Sequence, residues 1–245
     1  MSPKITLAVA VRVLRQLRHD HRTVAMLLVV PCVLLTLLWW MFDGNDLIFN
    51  RFGPPLLALF PFIVMFLVTS VTTLRERSSG TLERLLSMPL GKADLLLGYA
   101  IAFGLVALAQ ATVAVALTVW VLGLEVTGPL WMLAVVAVVD AVLGTALGLF
   151  VSAFAETEFQ AVQFMPALVL PQVLLCGLFV TREALPGVLE AVSEVLPLSY
   201  AVEAMQQVQT STELTSTLGF DLAVVGGFVV AALGLGAATL RRRTA

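Results

Sequence analysis

The chain has 245 residues, 60% of them hydrophobic and 12% charged, with a mean hydropathy of +1.00 and a formal net charge of -2. Soluble domains carry roughly 25% charged residues, so the composition excludes an ordinary soluble domain and points to a membrane protein. Cys32 and Cys176 both lie inside apolar runs with no metal-ligand or disulfide spacing, and read as small buried hydrophobes.

In chain order, residues 3–22 form an amphipathic helix. Arg12, Arg15, Arg18 and Arg22 fall on one side of the helical wheel, and Leu7, Ala10, Leu14 and Leu17 on another. Such a helix suits an anionic membrane surface, or serves simply as a topology signal. A span needs about 20 apolar residues. Six stretches qualify: 24–42, 54–74, 95–122, 130–153, 161–180 and 222–240. The first lacks a small-residue cleavage site at its far end and is expected to stay as an anchor.

Between the second and third spans lies a polar segment, 75–94, with Arg75, Arg77, Arg84 and Lys92. Ser78-Ser79-Gly80 is turn chemistry, and Thr81 can cap a short helix through Leu86 that stops before Pro89. Residues 184–209 show two short amphipathic helices broken at Pro197, each too short to span. They read as a partly inserted outer hairpin or as a loop lying flat on the surface.

With six spans both termini lie on one side. That side holds 12 of the 14 Lys and Arg residues, leaving only Arg51 and Arg182 opposite. The positive-inside rule therefore predicts cytoplasmic termini and an inward-facing 75–94 segment. Trp39, Trp40, Trp120 and Trp131 fall at outer span ends, where amphipathic rings favour the interface.

No P-loop sequence occurs, and the only histidines, His19 and His21, precede the first span. No catalytic, cofactor-binding or metal-ligating set stands out. Asp140 is the one acid read as lying deep in a span. Insertion of a charge there costs about 2.5–3.5 kcal/mol, so it should face a bundle interior or a cavity, or be protonated. Three roles are open to it: helix–helix contact, a pathway group, or a proton site. Gln110, Gln163 and Gln172 are further pathway candidates that could equally bond neighbouring helices. Gly144 to Gly148 is a small-xxx-small pattern that permits close packing. Pro166 and Pro171 should kink the fifth span.

Two motifs carry a resemblance. The segment Arg75–Pro89, with Glu76, Gly80, Thr81, Glu83, Arg84 and Pro89 at their spacing, is similar to the cytoplasmic coupling segment of ABC type-2 exporter permeases of the drug and lipid group. Phe179 through Pro186 to Pro197-Leu198-Ser199-Tyr200-Ala201-Val202-Glu203 resembles that family's outer re-entrant region. Two positions depart from the family pattern: Leu196 stands where Asn is common and Gln206 where Arg is common.

The resemblance implies an all-α integral membrane protein, a single transmembrane domain over 1–245, with the interfacial helix, six spans, a coupling helix and an outer re-entrant hairpin carrying Pro186, Pro197, Tyr200 and Glu203. It implies a plasma-membrane permease that is not itself an enzyme and moves an amphiphilic drug or lipid. Its partners would be two copies of a cytoplasmic ATP-binding subunit, which hold the ATP and magnesium, a second permease, and membrane lipid, with no nucleic acid. The competing readings are a proton-coupled secondary transporter using Asp140 and a non-transporting membrane scaffold.

Overall fold

The computed structural model describes residues 2–42, 45–81, 91–213 and 215–239. Among these residues the regular elements are all helical: α1 (Pro3–His19), α2 (His21–Met41), α3 (Asp46–Ser78), α4 (Lys92–Ala116), a π turn (Leu117–Val121), α5 (Leu130–Ser152), α6 (Glu158–Leu175), a 3₁₀ turn (Arg182–Ala184), α7 (Gly187–Glu194), α8 (Pro197–Thr210) and α9 (Ser216–Thr239). Six are long and apolar enough to cross a membrane: α2, α3, α4 with its π turn, α5, α6 and α9.

Local chemistry sets the helix ends. Asp20 separates α1 from α2 and caps the latter, accepting from the Thr23 amide at 3.1 Å and its hydroxyl at 2.6 Å. These bonds hold the Asp20 carboxyl below its ordinary value. Asn45 caps α3 through the Ile48 amide, and Thr157 caps α6 through the Gln160 amide. Pro197 opens α8 at a position where its missing N–H costs nothing.

Four boundaries differ from the expected spans by four residues or more. The second begins at Asp46, because the Asn45 cap starts the helix before Pro54 and these prolines continue it. It also runs to Ser78, so Arg75, Glu76 and Arg77 are helical rather than looped. The fifth ends at Leu175, and the chain turns at Gly177 with φ +88°. The sixth begins at Ser216, six residues before Leu222.

The bundle is built on α3 and α5, whose spanning windows are more than half buried, while α2, α6 and α9 keep most of theirs outward. The small-xxx-small pattern explains the central contact. A Cβ on Gly144 would stand 2.3 Å from the Phe62 carbonyl oxygen, and one on Gly148 2.6 Å from that of Phe66. The two backbones touch there, and the pattern serves packing within the chain.

Helix α1 does not rest on lipid by its apolar face. Val9, Ala10, Val13 and Leu17 pack on Leu95, Tyr99, Ala102 and Phe103 of α4, and a Cβ at Gly98 would fall 2.6 Å from Val9. Leu7 is exposed, and Arg12 turns inward, away from the exposed Arg15, Arg18 and Arg22.

Candidate coupling site

The last turn of α3 presents Arg75, Glu76 and Arg77 in succession. Side chains leave an α-helix about 100° apart, so the three reach three neighbours. Arg75 makes a two-pronged pair with Glu158 at the start of α6, Nε–Oε1 2.7 Å and Nη2–Oε2 2.9 Å. Arg77 donates to the carbonyls of Ala153, at 2.7 Å, and Ala155 in the turn between α5 and α6. Glu76 is 4% exposed, and its Oε2 accepts from both terminal nitrogens of Arg12 at 3.3 Å and from the Tyr99 hydroxyl. Burial works against the Arg12 charge, but the bonds to Tyr99 and Glu76 outweigh it and raise the guanidinium above its ordinary value.

A second tie fixes α1 to α4. Asp94 accepts from the Ser2 amide at 2.9 Å and the Thr6 hydroxyl at 3.2 Å. Helix α1 is therefore held at its first turn by Asp94 and at its middle by Glu76.

Helix α3 stops at Gly80, whose φ of +71° side-chain-bearing residues avoid. The amides of Ser79 and Gly80 bond back to the Arg75 and Arg77 carbonyls, and the Ser79 and Thr81 hydroxyls meet at 3.0 Å. Glu83, Arg84 and Pro89, with the short helix expected around them, lie outside the described residues. These contacts join the end of α3, next to the Gly80–Thr81 turn, to α1, α4, the α5–α6 turn and α6.

The pathway candidates are dispersed. Asp140 is fully buried, and neither carboxylate oxygen has a partner among the described residues. Gln110 donates to the Leu27 carbonyl at 2.8 Å and so joins α4 to α2. Gln172 is buried and bonds the Leu168 carbonyl of its own helix, while Gln163 is exposed on α6. No hydrogen bond joins any of these four to another among the described residues.

At the opposite end of the bundle, Arg182 is the hub. It donates to Glu203 at 2.6 Å and to the Ser193 hydroxyl at 3.3 Å, and its guanidinium lies 5.0 Å from the Tyr200 ring centre. It thereby joins the chain after α6 to α7 and α8. The Tyr200 hydroxyl donates to the Glu194 carbonyl at 2.7 Å, and Gln206 donates to the Gly177 carbonyl. Pro186 stands just before α7 and is exposed. A cavity of about 360 Å³ opens here beside Arg182, Glu190, Glu194 and Glu203.

Four contributors were not singled out from the sequence: Tyr99, Asp94, Arg182 and Asp221. Asp221 is 2% exposed and accepts from Gln207 at 2.8 Å. With α9 starting at Ser216, Asp221 lies inside that helix, close to its start, whereas Asp140 lies at the middle of α5. The polar spacing of Gln207 in α8 was a usable signal.

Six long apolar helices, with α3 joined to α1 and α6 by ion pairs beside a polar turn, define a multi-pass helical membrane protein. The chain belongs to the ABC-2 type transporter family, whose model matches residues 5–210. It is 28% identical over 63% of its length to the probable multidrug ABC transporter permease YbhR of Escherichia coli, and 25% identical over 74% to the probable multidrug permease YbhS of the same organism. It is 23% identical over 68% to ABC transporter G family member 20 of Dictyostelium discoideum. The matched segments cover 42%, 48% and 23% of those relatives' own lengths, so the chain matches less than half of each.

Proposed function

We propose that this chain is the permease subunit of an ATP-driven exporter of an amphiphilic drug or lipid, with both termini cytoplasmic and the basic end facing a separate ATP-binding subunit. Two ATPase copies and a second permease complete the transporter, and the ATPase holds ATP and magnesium. The observation that carries the reading is the ladder of Arg75, Glu76 and Arg77, which leads from the Gly80 turn to four elements of the bundle. The chain has no P-loop of its own, so under this reading the energy enters through that turn. The names of the E. coli relatives support a drug-exporter setting. In this reading α7 and α8 form the outer re-entrant hairpin, and Pro186, Pro197, Tyr200 and Glu203 shape the exit.

The test is substrate-stimulated ATP hydrolysis by the reconstituted complex. Gly80→Pro and Glu83→Ala are expected to insert and assemble normally while losing at least tenfold of the stimulation. Normal stimulation in both would remove the coupling role. One observation favours a second reading, proton-coupled transport: Asp140 is buried with no partner among the described residues. That reading requires transport without ATP that collapses with the proton gradient and is lost in Asp140→Asn. Full activity of Asp140→Asn eliminates it.

A further inference from the structure

Trp40, Trp120 and Trp131 are exposed at the ends of α2, the π turn after α4 and α5 that lie away from the coupling site. A hydrocarbon core of about 30 Å takes about 20 helical residues. Counting about 20 residues back along each helix reaches Asp20, Ala100 and Val151. Asp20 is the elbow between α1 and α2, Ala100 follows the Tyr99 that bonds Glu76, and Val151 stands just before the Ala153 carbonyl that Arg77 holds. Three separate helices thus put the membrane boundary at one level, and the elbow lies on it.

Arg15, Arg18 and Arg22 flank that elbow. All three are exposed, and their guanidinium groups make no hydrogen bond or ion pair among the described residues. The neighbouring arginines are committed, Arg12 to Glu76, Arg75 to Glu158 and Arg77 to backbone carbonyls. The one acid between residues 15 and 22 is Asp20, and both its carboxylate oxygens accept from Thr23. Arg22 also heads an exposed strip of α2, followed at steps of three or four by Met26, Val29, Val33, Leu37 and Trp40. Such steps keep to one helix face. From Arg22 to Val33 the strip rises about 16 Å, close to half the hydrocarbon core. Free cations at the boundary therefore continue into an apolar track the depth of one leaflet. A free anion or an acidic protein surface would use the cations and leave the track empty, whereas a lipid uses both.

We propose that Arg15, Arg18 and Arg22 bind the phosphate of an anionic phospholipid whose acyl chain lies along the Met26–Val33 strip of α2. Guanidinium groups donate forked hydrogen bonds to phosphate oxygens. A choline lipid offers the same phosphate, but its own ammonium offsets the charge that draws it to three arginines. The site therefore prefers headgroups of net negative charge. This binding needs the six helices to span the membrane and does not depend on ATP coupling.

The experiment reconstitutes the full chain in vesicles of equal parts phosphatidylglycerol and phosphatidylcholine with identical acyl chains. Lipid retained through purification is counted by native mass spectrometry. Wild type should retain the glycerol lipid about tenfold or more over the choline lipid, since each arginine near an anionic surface contributes roughly fivefold. Arg15→Gln, Arg18→Gln and Arg22→Gln should each cut the preference several-fold, while the remaining basic residues keep the chain's orientation. Lys4→Gln removes the same charge from the exposed first turn of α1 and should change the preference by less than about twofold, because that turn lies away from the elbow. Equal retention of the two lipids by wild type overturns the proposal and leaves the arginines to an acidic protein surface. A preference that survives all three single changes overturns it equally. So does inorganic phosphate that displaces the glycerol lipid more than chloride does at equal ionic strength, which would identify a site for free phosphate.

Discussion

The two ends of the bundle solve opposite problems. At the basic end, charged groups are spent on holding helices together: Arg12 and Tyr99 on Glu76, Arg75 on Glu158, Asp94 on the start of α1. At the far end a single cation, Arg182, links three elements around a cavity of about 360 Å³, and α7 leaves Val188, Leu189 and Val192 exposed. One end is a clamp with several independent ties. The other is an opening with Arg182 as its charged latch, beside the hydrogen bonds of Gln206 to Gly177 and Gln207 to Asp221.

Breaking the clamp should have the largest effect. Glu76→Ala strands Arg12 and Tyr99 beside an emptied site. Loss of one partner of a buried pair typically costs 3–5 kcal/mol. Arg12 keeps about a third of its side chain exposed, so solvent recovers part of this and about 2–3 kcal/mol is expected, read as a lowered melting temperature in detergent. A melting temperature within 1 °C of wild type would show that α1 is not clamped through Glu76. Breaking the latch should cost less in stability and more in local structure. Arg182→Ala should destabilise by about 1 kcal/mol, the scale of a partly exposed charged hydrogen bond. It should also speed hydrogen exchange in α7 and the start of α8 without changing it in α1. Exchange that rises equally at both ends would erase the contrast. The smallest effect belongs to Arg75→Ala. Its pair with Glu158 is half exposed on both sides, and such pairs contribute about 0.2–1 kcal/mol. The difference from wild type should fade as salt is raised, whereas that of Glu76→Ala should persist.

Much of this architecture was legible because lipid imposes simple rules. The six spans, the amphipathic α1, the break at Pro197 and the turn at Gly80 follow from apolar run length, helical spacing and turn chemistry. The pattern Gly144 to Gly148 announced a close helix contact, though nothing in it named Phe62 and Phe66 as the partners. The clamp was only half visible. Glu76 was singled out for its place in a motif, but Arg12 and Tyr99 sit 64 and 23 residues away in sequence, and no local period connects them. Arg12 read as one of four arginines on a basic face suited to an anionic membrane surface. Its inward turn is a tertiary event, set by the register of α1 on Gly98. Asp221 was missed for a different reason. The apolar run begins one residue after it, and run length alone cannot see a helix that starts earlier in polar residues.

Between Phe66, where α3 meets the backbone of α5, and Arg75, where it meets α6, the chain is an unbroken helix. Adding or deleting one residue there would swing everything beyond it by about 100° and shift it by about 1.5 Å. After an insertion Arg75 would face the place meant for Glu76, after a deletion the place meant for Leu74, and all three ties would fail together. Substitutions along this stretch are judged one at a time, by size and polarity. Its length is judged once, as a whole, because all three ties depend on it.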